Sequence, residues 1–315
     1  MSSKKPFWPR VSPHFLACRR GVRAAGLDRA VAVGLSGGAD SLALMAALVA
    51  EGHEVLALCV DHRLQEGSRV QAERAAEQAR ELGARARVLS VEAGGAGPES
   101  MEAAARVARY RALAAASAAE ELEVAVAHTA DDQAETLLLG ALRGRVTGMN
   151  ERSEVEGARV VRPLLGVRRA DTEGACAELG LSAWQDPQNA DTNFRRVALR
   201  REVIPQLSRI IGGDAVPALA QAAGDAALDD ATLRTPPTTN CADLAAMAEP
   251  RRRRAIAAWL VSEGVEVTRR GVGDVGKLCT HWRGQGPVAV RSARQVGQRL
   301  EVARIGGKLA LLSGH

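Results

Sequence analysis

A glycine-rich turn follows a short hydrophobic segment near the N-terminus of this 315-residue chain. The segment Val31-Ala-Val-Gly-Leu runs directly into Ser36-Gly37-Gly38-Ala39-Asp40-Ser41. Glycines let backbone N–H groups approach phosphate oxygens closely, and the start of a following helix presents a positive dipole end to an anion. The hydroxyls of Ser36 and Ser41 add two donors. The pattern predicts a phosphate-binding loop; the alternative is a tight strand-to-helix turn without a ligand.

A group of acids follows a later hydrophobic run, in His128-Thr-Ala-Asp131-Asp132-Gln133-Ala-Glu135-Thr136. Two adjacent acids at the start of a helix can simply stabilise the positive end of its dipole. An acid pair at the same sheet edge as the glycine-rich turn also suits Mg²⁺, which takes one or two carboxylates together with phosphate oxygens. No lysine follows the glycines, so terminal phosphoryl transfer by a GxxxxGK[ST] loop is excluded.

Two further groups of polar residues carry possible chemistry. Asp61 and His62 end a hydrophobic run, at the edge where open parallel sheets bind ligands, although such a pair can equally cap the next helix. Arg106 and Arg109 lie three residues apart beside Tyr110, so both project from one face of a helix. A solvated basic face is the alternative for the two arginines.

The elements that must position these residues alternate between short β-type runs and longer helical stretches, as in a parallel sheet covered by helices. We predict an α/β fold with strands Ala30–Leu35, Glu54–Asp61, Arg85–Val91, Val124–His128 and Arg159–Leu164. The helices between them are predicted at about 41–51, 69–82, 100–121, 131–142 and 167–179.

The second half of the chain predicts a helical region and then a small α+β module. The helical region covers roughly 193–230. The module has helices near 242–263 and 271–280 and strands Pro287–Arg291, Arg299–Arg304 and Lys308–Leu312. We therefore predict three parts: a nucleotide-binding domain at 1–190, a helical connector at 191–240 and an α+β domain at 241–315.

Composition narrows the function classes. A net charge of +5 and a pI near 9.2 favour a polyanionic partner, while 3% aromatic residues argue against a surface that binds RNA mainly by stacking. The five cysteines include no C-x-x-C pair, which indicates reduced thiols. The chain shows neither a signal peptide nor about 18 consecutive apolar residues, so we predict a cytoplasmic protein without a membrane anchor. No protein partner is evident.

The order S-G-G-x-D-S after a strand resembles the PP-loop of the ATP pyrophosphatase superfamily, whose members cleave ATP between the α- and β-phosphates. The resemblance implies ATP as the nucleotide. It also implies that Asp40 helps to hold Mg²⁺ or the group that approaches it.

Other segments resemble the lysidine-synthase family within that superfamily, through about residue 207. The motif H-x-x-D-D-Q-x-E-T matches closely, and Gln65 replaces the arginine of V-D-H-x-L-R. Val197 replaces the asparagine of F-x-R-N-x-x-R-x-x-x-x-P-x-L. Three more segments resemble family motifs: R-x-x-R-Y at 106–110, R-P-L-L at 162–165, and W-Q-D-P-Q-N at 184–189, which resembles W-x-x-D-P-x-N but has one residue fewer after the tryptophan. The C-terminal module resembles the family's substrate-binding domain loosely, and Arg251–Arg254 either grip tRNA phosphates or open a solvated helix.

The resemblance implies a ligase that uses ATP, L-lysine and the tRNA(Ile) with a CAU anticodon. The wobble cytidine would be adenylated with release of pyrophosphate, and lysine would then displace AMP, changing codon reading from AUG to AUA. Nucleotide contacts are implied for residues 36–41, Asp61, His62 and His128. Asp40 and Asp132 are implied as Mg²⁺ ligands and catalytic residues, together with three charge-neutralising arginines: Arg106, Arg109 and Arg200.

Other superfamily members share the PP-loop. The absence of a glutaminase-sized domain argues against GMP and asparagine synthetases, and the absence of C-x-x-C pairs disfavours a thiolase that carries sulfur on cysteines. A tRNA thiolase stays open as one alternative. A non-catalytic tRNA-binding protein that merely retains a nucleotide fold is the other.

Overall fold

A computed structural model describes residues 8–61, 63, 67–91, 98–185, 191–192, 194–293 and 299–313, with side chains of the helix at 98–118 described from residue 104. The chain forms two compact units, Met1–Ala227 and Leu228–His315, called here the N-terminal and C-terminal units. The division into three parts stays a prediction. His62, Gln65 and the D-P-x-N part of the tryptophan motif lie outside the described residues.

A six-stranded sheet organises the N-terminal unit, with the order β3-β2-β1-β4-β6-β5. Strands β1 to β4 and β6 run parallel, and β5 is antiparallel to β6. The α/β prediction is confirmed. The strands are β1 Ala30–Gly34, β2 Glu54–Asp61, β3 Arg85–Ser90, β4 Val124–Ala125, β5 Arg152–Val155 and β6 Ala158–Val161.

Helices cover both faces of this sheet, which is why its central strands are continuously apolar. One core cluster joins the sheet to α1, α2 and α6 and includes Phe15 and Leu44; another contains Tyr110 and Leu113 of α4. The helices are α1 Pro13–Ala24, α2 Ala39–Ala50, α3 Ser68–Glu81, α4 Pro98–Ala118, α5 Ala130–Leu142 and α6 Arg169–Leu179.

Four elements differ from the sequence prediction. Helix α1 and strand β5 were not predicted, and β5 gives no apolar signal because Arg-Ser-Glu-Val forms a largely polar strand at the sheet edge. Strand β4 ends at Ala125 and not at His128, since the chain leaves the sheet there to enter α5. The predicted helix at 242–263 is two helices, because Pro250 lacks the N–H needed to continue a helix and stands in the first turn of the second one.

The predicted helical region begins with α7, Arg195–Ala198, which continues as a π-helical stretch, Leu199–Val203, into α8, Ile204–Ile211. Pro205 in the first turn of α8 cannot donate a backbone hydrogen bond, which favours a local change of helix type. Helix α9 spans Val216–Thr232.

The C-terminal unit is a small α+β module, as predicted. Helices α10 Cys241–Ala246, α11 Glu249–Ser262 and α12 Arg269–Thr280 pack with an antiparallel sheet of order β7-β8-β9. The strands are β7 Val288–Arg291, β8 Arg299–Ile305 and β9 Lys308–Ser313. In the part of the chain that the structure describes, no helix is both long and apolar enough to span a membrane.

Candidate active site

The glycine-rich turn connects β1 to α2 and is held by its own serines. The Ser36 N–H donates to Ser41 Oγ at 3.2 Å, and the Ser41 hydroxyl donates to the Gly38 carbonyl at 3.0 Å. Gly37 has φ +83°, a left-handed conformation that side chains disfavour. Gly38 is the extended N-cap of α2 and has no side chain to cover the first N–H groups. The turn therefore leaves a helix N-terminus open to an anion.

The acidic motif opens α5 and is itself a capping box. Asp132 Oδ2 accepts hydrogen bonds from the Thr129 N–H at 2.8 Å and from its hydroxyl at 2.9 Å. Asp131 accepts from the Arg168 guanidinium and from the Arg169 N–H. Both acids thus stabilise helix starts, which is the alternative to a Mg²⁺ site that the sequence left open. Asp132 nevertheless keeps its second oxygen, Oδ1, for another partner.

That partner is Arg169, which lies between three carboxylates. Its Nη2 donates to Asp132 Oδ1 at 2.8 Å, its Nη1 to Glu135 Oε1 at 3.3 Å and its Nε to Asp40 Oδ2 at 3.5 Å. Only 15% of the Arg169 side chain is exposed. Burial alone would lower the pKa of Arg169, but the surrounding carboxylates raise it, so the guanidinium is firmly charged. One cation therefore ties α2 and α5 to α6.

Asp40 lies in the first turn of α2, where Thr172 of α6 donates a hydrogen bond to its Oδ1. Burial raises the pKa of Asp40, and nearby Asp132 adds to the rise, while Arg169 and Thr172 oppose it. Burial would also raise the pKa of Asp132, but Arg169 and the Thr129 N–H hold it below its usual value. The two acids thus differ in how readily they carry charge.

His128 is partly buried at the entry to α5. Burial, with Arg162, Arg106 and Arg109 nearby, lowers its pKa to about 4 although Asp132 opposes the shift. Arg162 Nε donates to His128 Nδ1 at 3.2 Å, so the neutral ring carries its proton on Nε2. The neutral His128 ring therefore offers an Nε2–H donor near neutral pH, because Arg162 already occupies Nδ1.

The predicted arginines fall into two places. Arg106 and Arg109 lie over the buried Tyr110 ring, with guanidinium carbons 4.9 and 5.4 Å from its centroid. Arg200 belongs to the π-helical stretch, and its Nε donates to Glu135 Oε1 at 2.8 Å. Glu135 is fully buried, so its carboxylate fixes Arg200 and Arg169 together.

Asp61 lies at the end of β2, where its Oδ1 accepts from the Arg63 N–H at 3.0 Å and the Ser68 hydroxyl at 2.5 Å. Burial would raise its pKa, but these hydrogen bonds hold it below its usual value. The geometry is that of a residue that shapes the turn into α3. A nucleotide contact by Asp61 stays a prediction.

One cavity of about 1340 Å³ lies at the carboxyl end of the parallel strands, and neither Asp61 nor Arg106 belongs to its lining. That edge, between β1 and β4, is where the strand order reverses, and open α/β sheets bind ligands at such a point. Both predicted clusters of chemistry therefore meet in one chamber. Its lining includes Ser36, Gly38, Ala39, Asp40, Ser41, Arg109, His128, Asp132, Arg169 and Arg200.

Comparison with known proteins follows the same division of the chain. A PP-loop domain model matches residues 21–207, and a TilS substrate binding domain model matches residues 240–301. The tRNA(Ile)-lysidine synthase of Corynebacterium diphtheriae is 52% identical over 306 residues, covering 97% of this chain and 99% of that protein. The Corynebacterium glutamicum enzyme of the same name is 49% identical, with 96% of each chain covered. The chain belongs to the tRNA(Ile)-lysidine synthase family.

A solved structure supports the fold of this family member. The U34-tRNA thiolase NcsA from Methanococcus maripaludis, with its [4Fe-4S] cluster, superposes with a TM-score of 0.53 at 18% identity, covering 66% of this chain and 78% of that one. The likeness concerns the fold alone. All five cysteines of this chain are free and buried: Cys18, Cys59, Cys176, Cys241 and Cys279.

Sequence analysis missed Arg169, Thr172 and Glu135 as parts of the site. Glu135 stands in the acidic motif, and its signal was a charged residue at a helix position that faces inward. Arg169 and Thr172 belong to no motif. They follow R-P-L-L by four and seven residues, on a helix to which the sequence assigned no functional role. Only the packing of α6 against α2 brings them to Asp40.

Proposed function

We propose that this chain ligates L-lysine to C2 of the wobble cytidine of the tRNA(Ile) with a CAU anticodon, in the cytoplasm, with ATP as the energy source. Membership of the tRNA(Ile)-lysidine synthase family supports the proposal. The observation that carries the chemistry is the shared chamber: a phosphate-binding helix start and an arginine-linked carboxylate cluster line the same cavity. Activation of one substrate and attack by another need such a chamber.

In the first step, the cytidine O2 attacks the α-phosphorus of ATP, and the bond from that phosphorus to the bridging oxygen breaks. Residues 36–41 bind the departing pyrophosphate through backbone N–H groups at the start of α2 and the serine hydroxyls. Arg109 and Arg200 line the chamber and neutralise the charge that develops on the phosphate, with Arg106 beside Arg109 on Tyr110. Adenylation leaves AMP as the leaving group on C2.

In the second step, the lysine ε-amine attacks C2, and AMP departs with the original oxygen. The attacking nitrogen must lose protons to become a neutral nucleophile and then a stable product. We assign Asp132 to bind and orient the amine and to accept a proton, since Asp132 lines the chamber and its carboxylate is held charged beside Arg169. Glu135 positions Arg200 and Arg169, because its fully buried carboxylate pairs with both guanidinium groups.

Asp40 and Asp132 also fit Mg²⁺. Their carboxylates come from two helices and lie close enough to share the Arg169 guanidinium, which supports the proposal of a common cation site. Two carboxylates completed by phosphate oxygens form the ligand set that Mg²⁺ prefers. Bound there, Mg²⁺ would neutralise phosphate charge.

The test is pyrophosphate release from ATP in the presence of lysine, with tRNA(Ile) transcripts carrying CAU or an altered anticodon. Mass spectrometry of the digested tRNA identifies the product nucleoside. Lysine attached to the wobble cytidine of the CAU transcript alone would support the proposal. Pyrophosphate release without lysine attachment would keep an adenylating enzyme and overturn the lysine assignment.

The two alternatives give different results in the same assay. A tRNA thiolase would incorporate sulfur and depend on at least one of the five cysteines. A non-catalytic tRNA-binding protein would turn over no ATP with correctly folded tRNA.

A further inference from the structure

The connection from α12 to β7 presents a tryptophan to solvent. Residues 281–287 are all exposed, and Trp282 keeps 40% of its surface accessible. In contrast, Trp259 of the same unit is 6% exposed and belongs to the core. A large aromatic ring left in water has an unfavourable hydration cost that a bound partner would remove. The ring is therefore a candidate contact.

Hydrogen bonds within this connection hold it in one shape. The Gln285 side-chain amide donates to the His281 carbonyl at 3.1 Å, and its oxygen accepts from the Arg283 N–H at 2.6 Å. Thr280 and His281 share a further side-chain hydrogen bond of 2.8 Å. A ring on a preorganised turn loses less conformational entropy on binding than a ring on a flexible turn.

Arg304 of β8 supports Trp282. Its guanidinium carbon lies 5.3 Å from the ring centroid, and its Nη1 donates to the Leu278 carbonyl at 3.2 Å, near the end of α12. The arginine thus satisfies a terminal helix carbonyl and fixes the ring at once. Unpaired nucleotide bases stack on aromatic rings and on guanidinium planes, so the Trp282 ring offers a surface of the kind that such bases use.

Charge favours a polyanion at this unit. Residues 228–315 contain 14 Lys+Arg and 8 Asp+Glu, which gives a net charge of +6. Residues 1–227 contain 28 Lys+Arg and 29 Asp+Glu, which gives a net charge of −1. Arg283 stands exposed directly beside Trp282. Trp282 also lies inside the segment matched by the substrate binding domain model.

We propose that Trp282, supported by Arg304, stacks on an unpaired nucleotide of the substrate tRNA, with Arg283 contacting an adjacent phosphate. The inference rests on the proposed function for the identity of the RNA. An acidic protein segment would satisfy the charge but leave the ring without a planar partner. The turn around Trp282 contains Gly284, Gln285 and Gly286, so it lacks the apolar neighbours that a membrane surface requires.

The experiment measures binding of the full chain to a fluorescent tRNA(Ile) transcript by anisotropy. Trp282→Ala should weaken binding about 5- to 100-fold, the range for losing one base–aromatic stack. Trp282→Phe keeps a ring and should stay within about threefold of the wild type. The matched control is Ile305→Ala, which removes an apolar side chain that is 56% exposed on β8 and should change binding less than twofold.

Salt dependence separates stacking from charge. Trp282→Ala should leave the slope of log K against log salt unchanged, whereas Arg283→Gln should reduce its magnitude by about 0.7 to 0.9, as for one lost phosphate contact. The KM for ATP should not change in Trp282→Ala. Unfolding curves of Trp282→Ala and Trp282→Phe show whether the C-terminal unit is intact in each variant.

Equal tRNA affinity of Trp282→Ala and the wild type would overturn the inference. The inference would also be overturned if Trp282→Ala kept its tRNA affinity and lost only its binding to phosphatidylglycerol vesicles. If the wild type attaches no lysine while Trp282→Ala still loses tRNA affinity, the proposed function fails and the stacking site stands. If the wild type attaches lysine and Trp282→Ala binds tRNA normally, the stacking site fails and the proposed function stands.

Discussion

The two units use charge in opposite ways. The N-terminal unit is nearly neutral, yet it largely buries Asp132, Glu135 and Arg169 in one cluster beside its cavity. The C-terminal unit carries the net positive charge of the chain and exposes it, as at Arg251 and Arg283. Buried charges interact strongly and set pKa values, while exposed charges mainly attract a polyanion. Substitutions should therefore affect catalysis in the first unit and tRNA affinity in the second.

The largest effect is expected for Asp132→Asn in the N-terminal unit. The amide can still accept from the Thr129 N–H, so the helix start persists, but it cannot take a proton from lysine. We expect kcat for lysidine formation to fall about 10²- to 10⁴-fold at saturating lysine. Asp131→Asn, whose partners are Arg168 and the Arg169 N–H, is the control and should lose far less. Full turnover by Asp132→Asn would make the assignment wrong.

Removal of Arg169 should cost mainly stability. Arg169→Gln leaves Asp40, Asp132 and Glu135 without their common cation, and breaking a buried ion pair typically costs about 3–5 kcal/mol. Arg168→Gln breaks more exposed pairs and should cost about 1 kcal/mol or less. Urea unfolding of the two variants measures the difference. Equal losses would show that Arg169 is not the organising cation.

Acid should destabilise the N-terminal unit through His128. Its folded pKa of about 4 lies below the ordinary value of 6.5, so between these values the unfolded chain binds the proton and the folded chain does not. Stability therefore falls as pH drops from 6.5 to 4, by up to about 3 kcal/mol. His128→Asn should flatten this part of the profile in urea titrations. A variant that parallels the wild type would contradict the assignment of a neutral His128 in the folded state.

Two glycines separate backbone strain from phosphate binding. Gly37 and Gly52 have φ of +83° and +87°, so alanine at either should cost about 1 kcal/mol of stability. Nothing lies within 4 Å of a methyl group at Gly52, which follows α2 at its far end. Only Gly37→Ala should raise the KM for ATP, by about tenfold if one phosphate hydrogen bond is lost. Similar ATP kinetics in both variants would argue against a phosphate-binding turn.

The smallest effect is expected in the arginine run of α11. Arg252 donates to the Met247 carbonyl, Arg253 pairs with Glu249, and Arg254 pairs with Asp230. Arg251 is exposed and has no such partner among the described residues. Arg251→Gln should weaken tRNA binding a few-fold and reduce the salt slope by about 0.7 to 0.9. Arg253→Gln, with an internal partner, is the control; a larger effect there would contradict this distinction.

The sequence by itself determined the sheet, the PP-loop and the acidic motif, because apolar periodicity and glycine placement act over a few neighbouring residues. It did not reveal β5, whose polar edge strand has no apolar pattern, or the break before Glu249. Only the tertiary structure decided the role of Arg169, since its partners Asp40 and Asp132 lie 129 and 37 residues away in the chain. Burial, which no single motif encodes, then separated the pKa values of Asp40, Asp132 and His128.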